Sequence, residues 1–583
     1  VNPNRTLHTT TIGARTLLCS AAGRMIGPPH PGVPLAYGTA GFRARADLLD
    51  STFFRMGALA VLRSRSRGGL AVGLMVTASH NAEPDNGIKL VDPDGGMLDV
   101  SWEPHASAVA NAADADLAAA LDAVADAVGV VSAGGGRVLV ARDTRPHSER
   151  LSALALDGVS HLGGAGEDFG LLTTPQLHHI VRHANGGAAG GAHVGPAAWA
   201  SEGGYAEMLC TAFAALLPPD LGGGGLRAPL TVDCACGVGG PQLAPIAQRL
   251  APLLPLELIN RPGEGELNAG CGAEFVQKGR LPPRGLDTPP PTTSADSGGG
   301  GGGGGSRLCS LDGDADRVVF HYWRLCAGAV PEWRLLDGDK IAALFAAFVC
   351  DELRALEIEP ALSVACVQTA YANGASGAHL RSLGVPTPLA RTGVKHVHHA
   401  ALRYDVSVYF EANGHGTLLF SDSAVSAIAA ARQRAEASGD AGKAASAARL
   451  LAAKQLVNQA IGDAISAILL VEAILLLRGW SIERWDAMYE DLPSRQAKLG
   501  VADRAALRVN EDETRTLEPA ELQREIDALA AAHSRGRAFV RPSGTEDVVR
   551  VYAEAATQQA ADELARKVGQ ATWRLAGGVG EQP

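Results

Sequence analysis

The sequence predicts several α/β domains, and three observations support this fold class. The chain has 583 residues, and at about 150 residues per domain this length suggests about four domains. Short β-rich runs alternate with helical stretches, a rhythm typical of α/β proteins. Polar motifs follow several of the apolar runs, and in α/β proteins ligands bind where strands end. These motifs are therefore the candidates for a functional site.

The individual elements follow from the spacing of apolar residues. Four short runs are predicted to be buried strands, at residues 136–140, 230–232, 318–322 and 406–410. Two longer stretches with helical periodicity are predicted helices, at residues 340–356 and 463–478.

Composition narrows the class of function. Hydrophobic residues make up 46% of the chain and the formal charge is −11, which fits a globular protein and disfavours nucleic acid as a partner. An anionic substrate then needs locally concentrated Arg and Lys. The nine cysteines are scattered without zinc-site spacing, which indicates reduced thiols in a cytoplasmic protein. The longest apolar run, 464–477, is too short and too polar to span a membrane.

Three segments stand apart from this pattern. Residues 1–34 form a predicted N-terminal extension without Asp or Glu, either disordered or an organellar transit peptide. Residues 287–306 contain a Pro cluster and consecutive glycines, and we expect a flexible insert there. Residues 425–454 form an Ala-rich insert, expected to be an exposed helix or a partly ordered segment.

The first motif is TASHN at residues 77–81, which follows the apolar run 73–76. Ser79 lies among small and polar residues, as an exposed loop nucleophile does, although most Ser-His pairs are ordinary turn residues. Lys89 follows in the segment NGIK at residues 86–89. No G-x-S-x-G elbow is present, which argues against a typical hydrolase.

The second motif is LDGDADR at residues 311–317. Asp312, Asp314 and Asp316 would repel one another unless a cation lies among them, and carboxylate oxygens suit a hard divalent cation. An EF-hand is excluded, because Arg317 stands where that loop requires Gly and Trp323 where it requires Glu. The alternative is a solvated acidic turn.

The third and fourth motifs suit a phosphorylated sugar. EANGHGT at residues 411–417 offers donors and acceptors for sugar hydroxyls, with a plain polar turn as the alternative. RPSGTE at residues 541–546 offers an arginine, two hydroxyls and a glycine that can converge on one phosphate. No P-loop occurs in the chain, and outside the glycine run 298–305 no G-x-G-x-x-G spacing occurs.

These four motifs, in this order, resemble the α-D-phosphohexomutase superfamily. Five longer segments are similar to its phosphoacetylglucosamine mutase branch: YGTAGFR at 37–43, LTTPQL at 172–177, VQTAYANG at 367–374, RTGVKH at 391–396 and DLPSR at 491–495. The similarity runs from about residue 35 to about residue 554, interrupted by the two inserts.

The resemblance implies four domains around a central cleft. Three would be α/β domains with mixed sheets, and the fourth a smaller C-terminal α+β domain. The implied boundaries are 35–221 with the phosphoserine loop, 222–335 with the metal loop, 336–478 with the sugar-binding loop and 479–583 with the phosphate-binding loop.

The resemblance also implies an activity, the interconversion of N-acetylglucosamine 6-phosphate and 1-phosphate in UDP-N-acetylglucosamine biosynthesis. Ser79 would be a phosphoserine that exchanges its phosphoryl group through a bisphosphate intermediate. Asp312, Asp314 and Asp316 would hold Mg²⁺ together with a phosphate oxygen on Ser79. The partner would be a small phosphosugar, and the protein a monomer or a weak homo-oligomer.

The remaining motif residues take roles by the same resemblance. Arg43, His80 and Lys89 would line the transfer site, and Arg317 would add a positive contact. Lys89 is either a general acid/base with a lowered pKa or a phosphate ligand, and His415 is a second acid/base candidate.

The two later motifs would bind the sugar and its phosphate. The sugar hydroxyls would be bound by Glu411, Asn413 and His415. The phosphate that does not react would be bound by Arg541, Ser543, Gly544 and Thr545. A supporting role for the Ser79 loop is implied for Arg142, Asp143 and Arg145, and a structural or surface role for His396, His398 and His399.

Three alternatives remain open at this point. The segment DADRV at residues 314–318 fits haloacid-dehalogenase enzymes, in which an aspartate takes the phosphoryl group. The second alternative is a non-catalytic sugar-phosphate binding or sensor protein that descends from a mutase. Within the superfamily, glucose and mannose phosphates are alternative substrates.

Overall fold

The computed structural model describes residues 27–38, 40–130, 135–189, 194–218, 228–289, 306–325, 330–544 and 547–583. Most of the predicted N-terminal extension and most of the Gly-rich insert lie outside these described residues, as does Thr545. Two compact units are present: residues 1–335 with 452–473, and residues 336–451 with 474–583.

The first unit begins with a mixed five-stranded sheet in the order β1-β3-β2-β4-β5. Its strands are β1 Phe42–Arg45, β2 Ala71–Val76, β3 Asp85–Val91, β4 Arg137–Arg142 and β5 Ala165–Leu171. The helices of this region are α1 Asp50–Ser66, α2 Glu103–Asn111, α3 Leu117–Ala127, α4 Ser148–His161, α5 Thr174–Asn185 and α6 Glu202–Leu216. β2 pairs parallel with β4 and antiparallel with β3.

Both faces of this sheet are buried. Val72, Leu74 and Val76 belong to one hydrophobic core, whereas Ala71 and Met75 of the same strand belong to another. Alternate residues of a strand point to opposite faces, so helices must cover the sheet on both sides. This packing fixes the carboxyl end of β2, from which the Ser79 loop departs.

A second mixed sheet follows in the order β10-β9-β8-β6-β7. Its strands are β6 Leu230–Asp233, β7 Leu256–Ile259, β8 Leu308–Leu311, β9 Val318–Arg324 and β10 Glu332–Leu336, with helices α7 Gly239–Leu250 and α8 Ala273–Gly279. β8 and β9 pair antiparallel, and the aspartate motif is the turn between them.

The second unit contains a four-stranded mixed sheet in the order β12-β11-β13-β14. The elements are α9 Gly338–Ala355, β11 Val364–Thr369, α10 Gly374–Ser382, β12 Leu389–Ala390, α11 Val394–Ala401, β13 Val406–Phe410 and β14 Gly416–Phe420. β13 and β14 form an antiparallel hairpin, with Phe410 opposite Gly416. The Glu411 motif is the turn of this hairpin.

The last sheet is antiparallel, in the order β15-β19-β18. Its elements are α15 Ile482–Asp486, β15 Ser494–Gly500, the pair β16 Arg508–Val509 and β17 Thr516–Glu518, α16 Ala520–Ala531, β18 Arg537–Pro542, β19 Val548–Glu554 and α17 Gln558–Leu575. Residues of this sheet share one hydrophobic core with α16 and α17. The RPSGTE motif begins at the end of β18.

The Ala-rich segment is helical, and it has one exposed and one buried face. It forms most of two helices, α12 Asp422–Ser438 and α13 Ala441–Leu456, which α14 Ala464–Arg478 follows. Val425, Ile428 and Leu450 are buried. Alanine allows close helix packing, so an Ala-rich sequence need not lie on the surface.

The predicted strands and helices are confirmed, with boundaries shifted by a residue or two. The mixed sheets and the antiparallel last sheet confirm the predicted fold class. The division into four domains stays a prediction. No helix among the described residues has the length and apolar character needed to cross a membrane.

Candidate active site

Ser79 is fully buried, whereas the sequence suggested an exposed loop nucleophile. Its Oγ donates a hydrogen bond to Asp312 Oδ2 at 2.8 Å and lies 3.3 Å from His80 Nδ1. The backbone of Ser79 has φ 54°, a left-handed conformation that is uncommon for non-glycine residues and is often found at functional sites. The loop therefore presents the hydroxyl directly to the aspartate motif.

Hydrogen bonds from three side chains fix the Ser79 backbone. The carbonyl oxygen accepts from Arg145 Nη2 at 3.0 Å and from Asn268 Nδ2 at 2.9 Å, and the amide donates to Thr77 Oγ1 at 2.9 Å. Asp143 in turn accepts from both Thr77 Oγ1 and Arg145 Nε. Thus Asp143 and Arg145 hold the loop, as the resemblance implied.

Arg142 does not share this role. Its guanidinium forms an ion pair with Asp168 of β5 at 3.1 Å, on the neighbouring strand. The expectation that Arg142 supports the Ser79 loop is therefore wrong, because the side chain that follows β4 into the loop is that of Arg145. Asn268 supports the loop although no sequence motif pointed to it.

The three aspartates form one buried cluster. Asp312, Asp314 and Asp316 are 0%, 0% and 4% exposed, and each offers an oxygen within 4.8 Å of the others. Gly313 permits this arrangement, because a Cβ there would lie 2.6 Å from the Ser79 carbonyl oxygen. Only glycine allows the two loops to approach this closely.

The charges of the cluster are unequal. Burial, together with Asp316 and Asp314, raises the pKa of the Asp312 carboxyl well above its ordinary value. Burial and Asp316 also raise the pKa of Asp314, but Lys89 and Thr174 outweigh them and lower it overall. Carboxylates this close favour a bound cation, since it would offset their mutual repulsion.

The donor set fits Mg²⁺. Asp314 Oδ1 is buried and has no hydrogen-bond partner among the described residues, so an oxygen ligand is available inside the cluster. Hard oxygen ligands from a few carboxylates are what Mg²⁺ requires in proteins, with the remaining positions filled by substrate phosphate or water. Asp312, Asp314 and Asp316 are the residues that would hold the ion.

Lys89 lies against this cluster. Its Nζ donates to Asp314 Oδ2 at 2.8 Å and to Asp316 Oδ2 at 3.3 Å. Burial lowers the pKa of Lys89, but these two carboxylates outweigh burial and raise it. A lowered pKa is expected of a lysine beside a bound metal ion and other cations, whereas the two carboxylates alone raise it, so the acid/base role of Lys89 stays a prediction.

Thr174 is a contact that the sequence did not assign. Its amide donates to the Asp314 carbonyl oxygen at 3.1 Å, and its Oγ1 donates to Asp314 Oδ2 at 2.6 Å. Thr174 begins α5, and Thr173 and Gln176 form a capping box there. The segment LTTPQL was visible as a family segment, but only the fold brings it to Asp314.

The side chains near the aspartate cluster include three that carry nitrogen atoms, those of Arg43, His80 and Arg317. Arg317 Nε lies 3.6 Å from Asp316 Oδ1 and 3.8 Å from Asp312 Oδ2. Burial, reinforced by Arg317 and Arg43, lowers the pKa of His80, which is therefore neutral at physiological pH. Arg43 Nη1 donates to Asn81 Oδ1 at 3.5 Å, and burial lowers the pKa of Arg43.

Hydrogen bonds within its own loop, and one from Gly393, hold the Glu411 motif of the second unit. The amide of His415 donates to Asn413 Oδ1 at 3.0 Å, and Asn413 Nδ2 lies 3.5 Å from Glu411 Oε2. Glu411 Oε1 also accepts from the Gly393 amide at 3.3 Å. The turn thus groups Glu411, Asn413 and His415, the three residues expected to bind a sugar.

Arg541 of the fourth motif is oriented by two residues that the sequence did not assign. Its Nε donates to the Tyr371 hydroxyl at 3.1 Å, and its Nη1 lies 3.5 Å from Glu513 Oε1. The Ser543 amide donates to the Val548 carbonyl oxygen at 2.8 Å, which closes the β18–β19 turn. A side chain added at Gly544 would meet open space, so this part of the turn is accessible.

The histidines at 396, 398 and 399 are not a metal cluster. His398 Nδ1 lies 3.0 Å from the Tyr409 hydroxyl in the interior, whereas His396 and His399 line a cavity of about 720 Å³ with Arg391 and Arg403. Among the described residues, the aspartate cluster is the group with metal-site spacing. The expected structural or surface role fits this placement.

Three family models match parts of the chain. The model described as phosphoacetylglucosamine mutase AMG1, domain III, matches residues 337–480. The phosphoglucomutase/phosphomannomutase C-terminal domain matches residues 496–571, and the α/β/α domain I of the same group matches residues 56–116 and 107–196.

Curated relatives match nearly the whole chain. The phosphoacetylglucosamine mutase of Sus scrofa is 47% identical over 95% of this chain and 96% of its own length. The Arabidopsis thaliana enzyme is 45% identical over 93% of this chain and 96% of its own length. The Saccharomyces cerevisiae enzyme is 39% identical over 90% of this chain and 92% of its own length.

Solved structures of N-acetylglucosamine-phosphate mutases are also similar to this chain. The Aspergillus fumigatus N-acetylphosphoglucosamine mutase in complex with GlcNAc-6P and magnesium is 40% identical, with a TM-score of 0.84 over 98% of this chain and all of that one. An N-acetylglucosamine-phosphate mutase in its product complex is 35% identical, with a TM-score of 0.82 over 95% and 99%.

Proposed function

We propose, from the premise that this chain belongs to the phosphoacetylglucosamine mutase family of the α-D-phosphohexomutase superfamily, that it interconverts N-acetylglucosamine 6-phosphate and N-acetylglucosamine 1-phosphate. The chain is accordingly an isomerase, a phosphosugar mutase. The observation on which the mechanism rests is the contact between Ser79 Oγ and Asp312 inside a buried three-aspartate cluster.

Ser79 is proposed to be the phosphoryl carrier. In the forward direction the phosphoserine transfers its phosphoryl group to the free hydroxyl of the sugar phosphate, which forms a bisphosphate and restores the serine hydroxyl. The bisphosphate then reverses its orientation and returns its other phosphoryl group to Ser79. Each transfer breaks one P–O bond and forms another, so the enzyme ends the cycle phosphorylated.

Asp312, Asp314 and Asp316 are proposed to hold Mg²⁺ beside Ser79. The ion, when bound, neutralises charge on the phosphoryl oxygens during transfer. Thr174 and Lys89 fix the Asp314 carboxylate, so the ligand geometry is set before substrate arrives. The burial of Ser79 also excludes water, which would otherwise hydrolyse a phosphoenzyme.

Proton transfer to and from the sugar hydroxyl is assigned to either Lys89 or His415. Arg43 and the neutral His80 are proposed to contact the transferring phosphoryl group. Lys89→Met and His415→Gln separate the two assignments, because only the acid/base variant should change the pH dependence of kcat.

The second unit is proposed to supply recognition. Glu411, Asn413 and His415 would accept and donate hydrogen bonds to sugar hydroxyls. The phosphate that does not react would be bound by Arg541, Ser543, Gly544 and Thr545. Arg541 is suited to this because guanidinium groups bind phosphate through two parallel hydrogen bonds.

The wider setting is proposed on the same basis. N-acetylglucosamine 1-phosphate would feed UDP-N-acetylglucosamine synthesis in the cytoplasm, by a monomer or weak homo-oligomer without nucleic-acid or membrane partners. The test is a coupled assay that compares N-acetylglucosamine, glucose and mannose phosphates at equal concentration. We expect the highest kcat/KM with the N-acetylglucosamine phosphate. A preference for glucose or mannose phosphate would contradict the proposal, and no turnover of any would favour a binding protein.

A further inference from the structure

Glu513 is a buried carboxylate that neither the motifs nor the proposed reaction uses. Its side chain is 4% exposed, although it lies in the connection between β16 and β17 among polar residues. Its backbone has φ 61°, the left-handed conformation that bulky residues seldom adopt. A charged side chain in a strained backbone conformation persists when specific contacts hold it in place.

Three contacts account for its position. Glu513 Oε1 accepts from Arg391 Nε at 3.3 Å and lies 3.5 Å from Arg541 Nη1. Glu513 Oε2 accepts from the Thr392 amide at 3.1 Å. Two guanidinium groups thus share one carboxylate oxygen, and one positive charge remains uncompensated among the three side chains.

The Thr392 contact extends this arrangement to the sugar-binding loop. The Thr392 amide donates to Glu513, and the next amide, that of Gly393, donates to Glu411 Oε1 at 3.3 Å. The consecutive amides of Thr392 and Gly393 therefore bind two different glutamates. One is Glu513, beside Arg541, and the other is Glu411 of the EANGHGT turn. Tyr371 holds the other side of Arg541 through its hydroxyl at 3.1 Å.

We propose that Glu513 is a positioning residue that holds Arg541 at a fixed distance from the sugar-binding turn. This inference rests on the proposed function, in which Arg541 binds the phosphate that does not react. A sugar phosphate has a fixed span between its hydroxyls and its phosphate. An anchor held at that span binds the substrate without the entropy cost of ordering an arginine side chain.

The test is a double-mutant cycle of Glu513→Gln and Arg541→Ala, with KM and kcat measured for N-acetylglucosamine 6-phosphate. Glu513→Gln keeps the size of the side chain and removes the charge that orients Arg541. We expect it to raise KM roughly 5- to 15-fold and to lower kcat by a smaller factor in the otherwise unchanged enzyme. In the Arg541→Ala background the same change should alter KM less than about twofold, because the residue it positions is absent.

Glu511→Gln is the matched control, because Glu511 is an exposed glutamate in the same connection. It should leave KM unchanged in both backgrounds. If Glu513→Gln does not fold, Glu513→Asp keeps the buried charge on a shorter side chain and should give a smaller rise in KM with the same dependence on Arg541. Phosphorylation of Ser79, measured by intact mass, should be equal in all variants.

Three results would overturn the inference, and the first two differ in what they say of the proposed function. If Arg541→Ala raises KM but the effect of Glu513→Gln is equal in both backgrounds, Glu513 does not act through Arg541 and the phosphate anchor stands. If Arg541→Ala leaves KM unchanged, the anchor assignment and the role of Glu513 fail together. A fall in KM in Glu513→Gln would also contradict a positioning role, since it would mean that the carboxylate only repels phosphate.

Discussion

The loops around Ser79 and those around Arg541 differ in burial. Ser79 and the three aspartates are between 0% and 4% exposed. Side chains from four other segments hold them, those of Lys89, Arg145, Thr174 and Asn268. In the second unit, the Arg541 side chain is 16% exposed and that of Arg391 is 64% exposed, and Gly544 faces open space. The first region is closed around Ser79 and the aspartates, whereas the second is open to solvent at Arg391 and Gly544.

This difference matches the two tasks proposed for the regions. Phosphoryl transfer requires positioned charges and the exclusion of water, and both require burial. Recognition of a substrate that must enter, turn and leave requires contacts that are open to solvent. Substitutions in the closed region should therefore affect kcat most, and substitutions in the open region should affect KM as well.

The largest effect is expected from Ser79→Ala. The change removes the oxygen that is proposed to carry the phosphoryl group, and positioning alone cannot replace a covalent carrier. Activity should fall by about 10³-fold or more. Steady-state kinetics decide the point, and a variant that keeps a tenth of the normal kcat would show that Ser79 is not the carrier.

The metal cluster should give the next largest effect. Chelation should abolish activity and added Mg²⁺ should restore it. Asp314→Asn removes one ligand charge and weakens the contact with Lys89, so it should raise the Mg²⁺ concentration needed for half-maximal activity. Magnesium titrations of both enzymes provide the measurement, and full activity after exhaustive chelation would rule out the metal site.

Arg541→Ala tests the open region. Losing a charge-assisted contact to phosphate should lower kcat/KM about 10- to 150-fold, through both KM and kcat. Leakage of bisphosphate should make turnover dependent on added sugar bisphosphate, while Ser79 is still phosphorylated. An unchanged kcat/KM without that dependence would remove Arg541 from the substrate site.

The smallest effect is expected from Asn268→Ala. The change deletes hydrogen bonds to the carbonyl oxygens of Ser79 and Asn81 but leaves those from Arg145 in place. One net hydrogen bond corresponds to roughly a 3- to 10-fold loss of kcat. KM should be unchanged. A rise in KM with constant kcat would contradict the expectation that substitutions near Ser79 affect kcat most.

Much of this arrangement could be predicted from the sequence because its motifs are local. The Ser79 loop, the aspartate turn and the Glu411 and Arg541 turns each follow an apolar strand in a short segment. The alternation of strands and helices also predicted the mixed sheets. The buried face of the Ala-rich helices was not predicted, because composition does not show which face of a helix is covered.

The rest depends on contacts between residues far apart in the chain. Thr174 lies against Asp314, Asn268 against Ser79, and Glu513 against Arg541. None of these pairs is encoded by spacing, since only the folded sheets bring them together. The contact of Lys89 with carboxylates from another sheet, which raise its pKa, depends on the fold in the same way.

The measurement that most directly tests the account is a pulse and chase of phosphate on Ser79. Enzyme is exposed to ³²P-labelled N-acetylglucosamine 6-phosphate, chased with unlabelled substrate, quenched in acid and mapped by peptide. We predict acid-stable label on the peptide that contains Ser79, lost during the chase at least as fast as kcat. Acid-labile label on an aspartate, or label on Ser79 that exchanges more slowly than kcat, would contradict the claim that Ser79 carries the phosphoryl group.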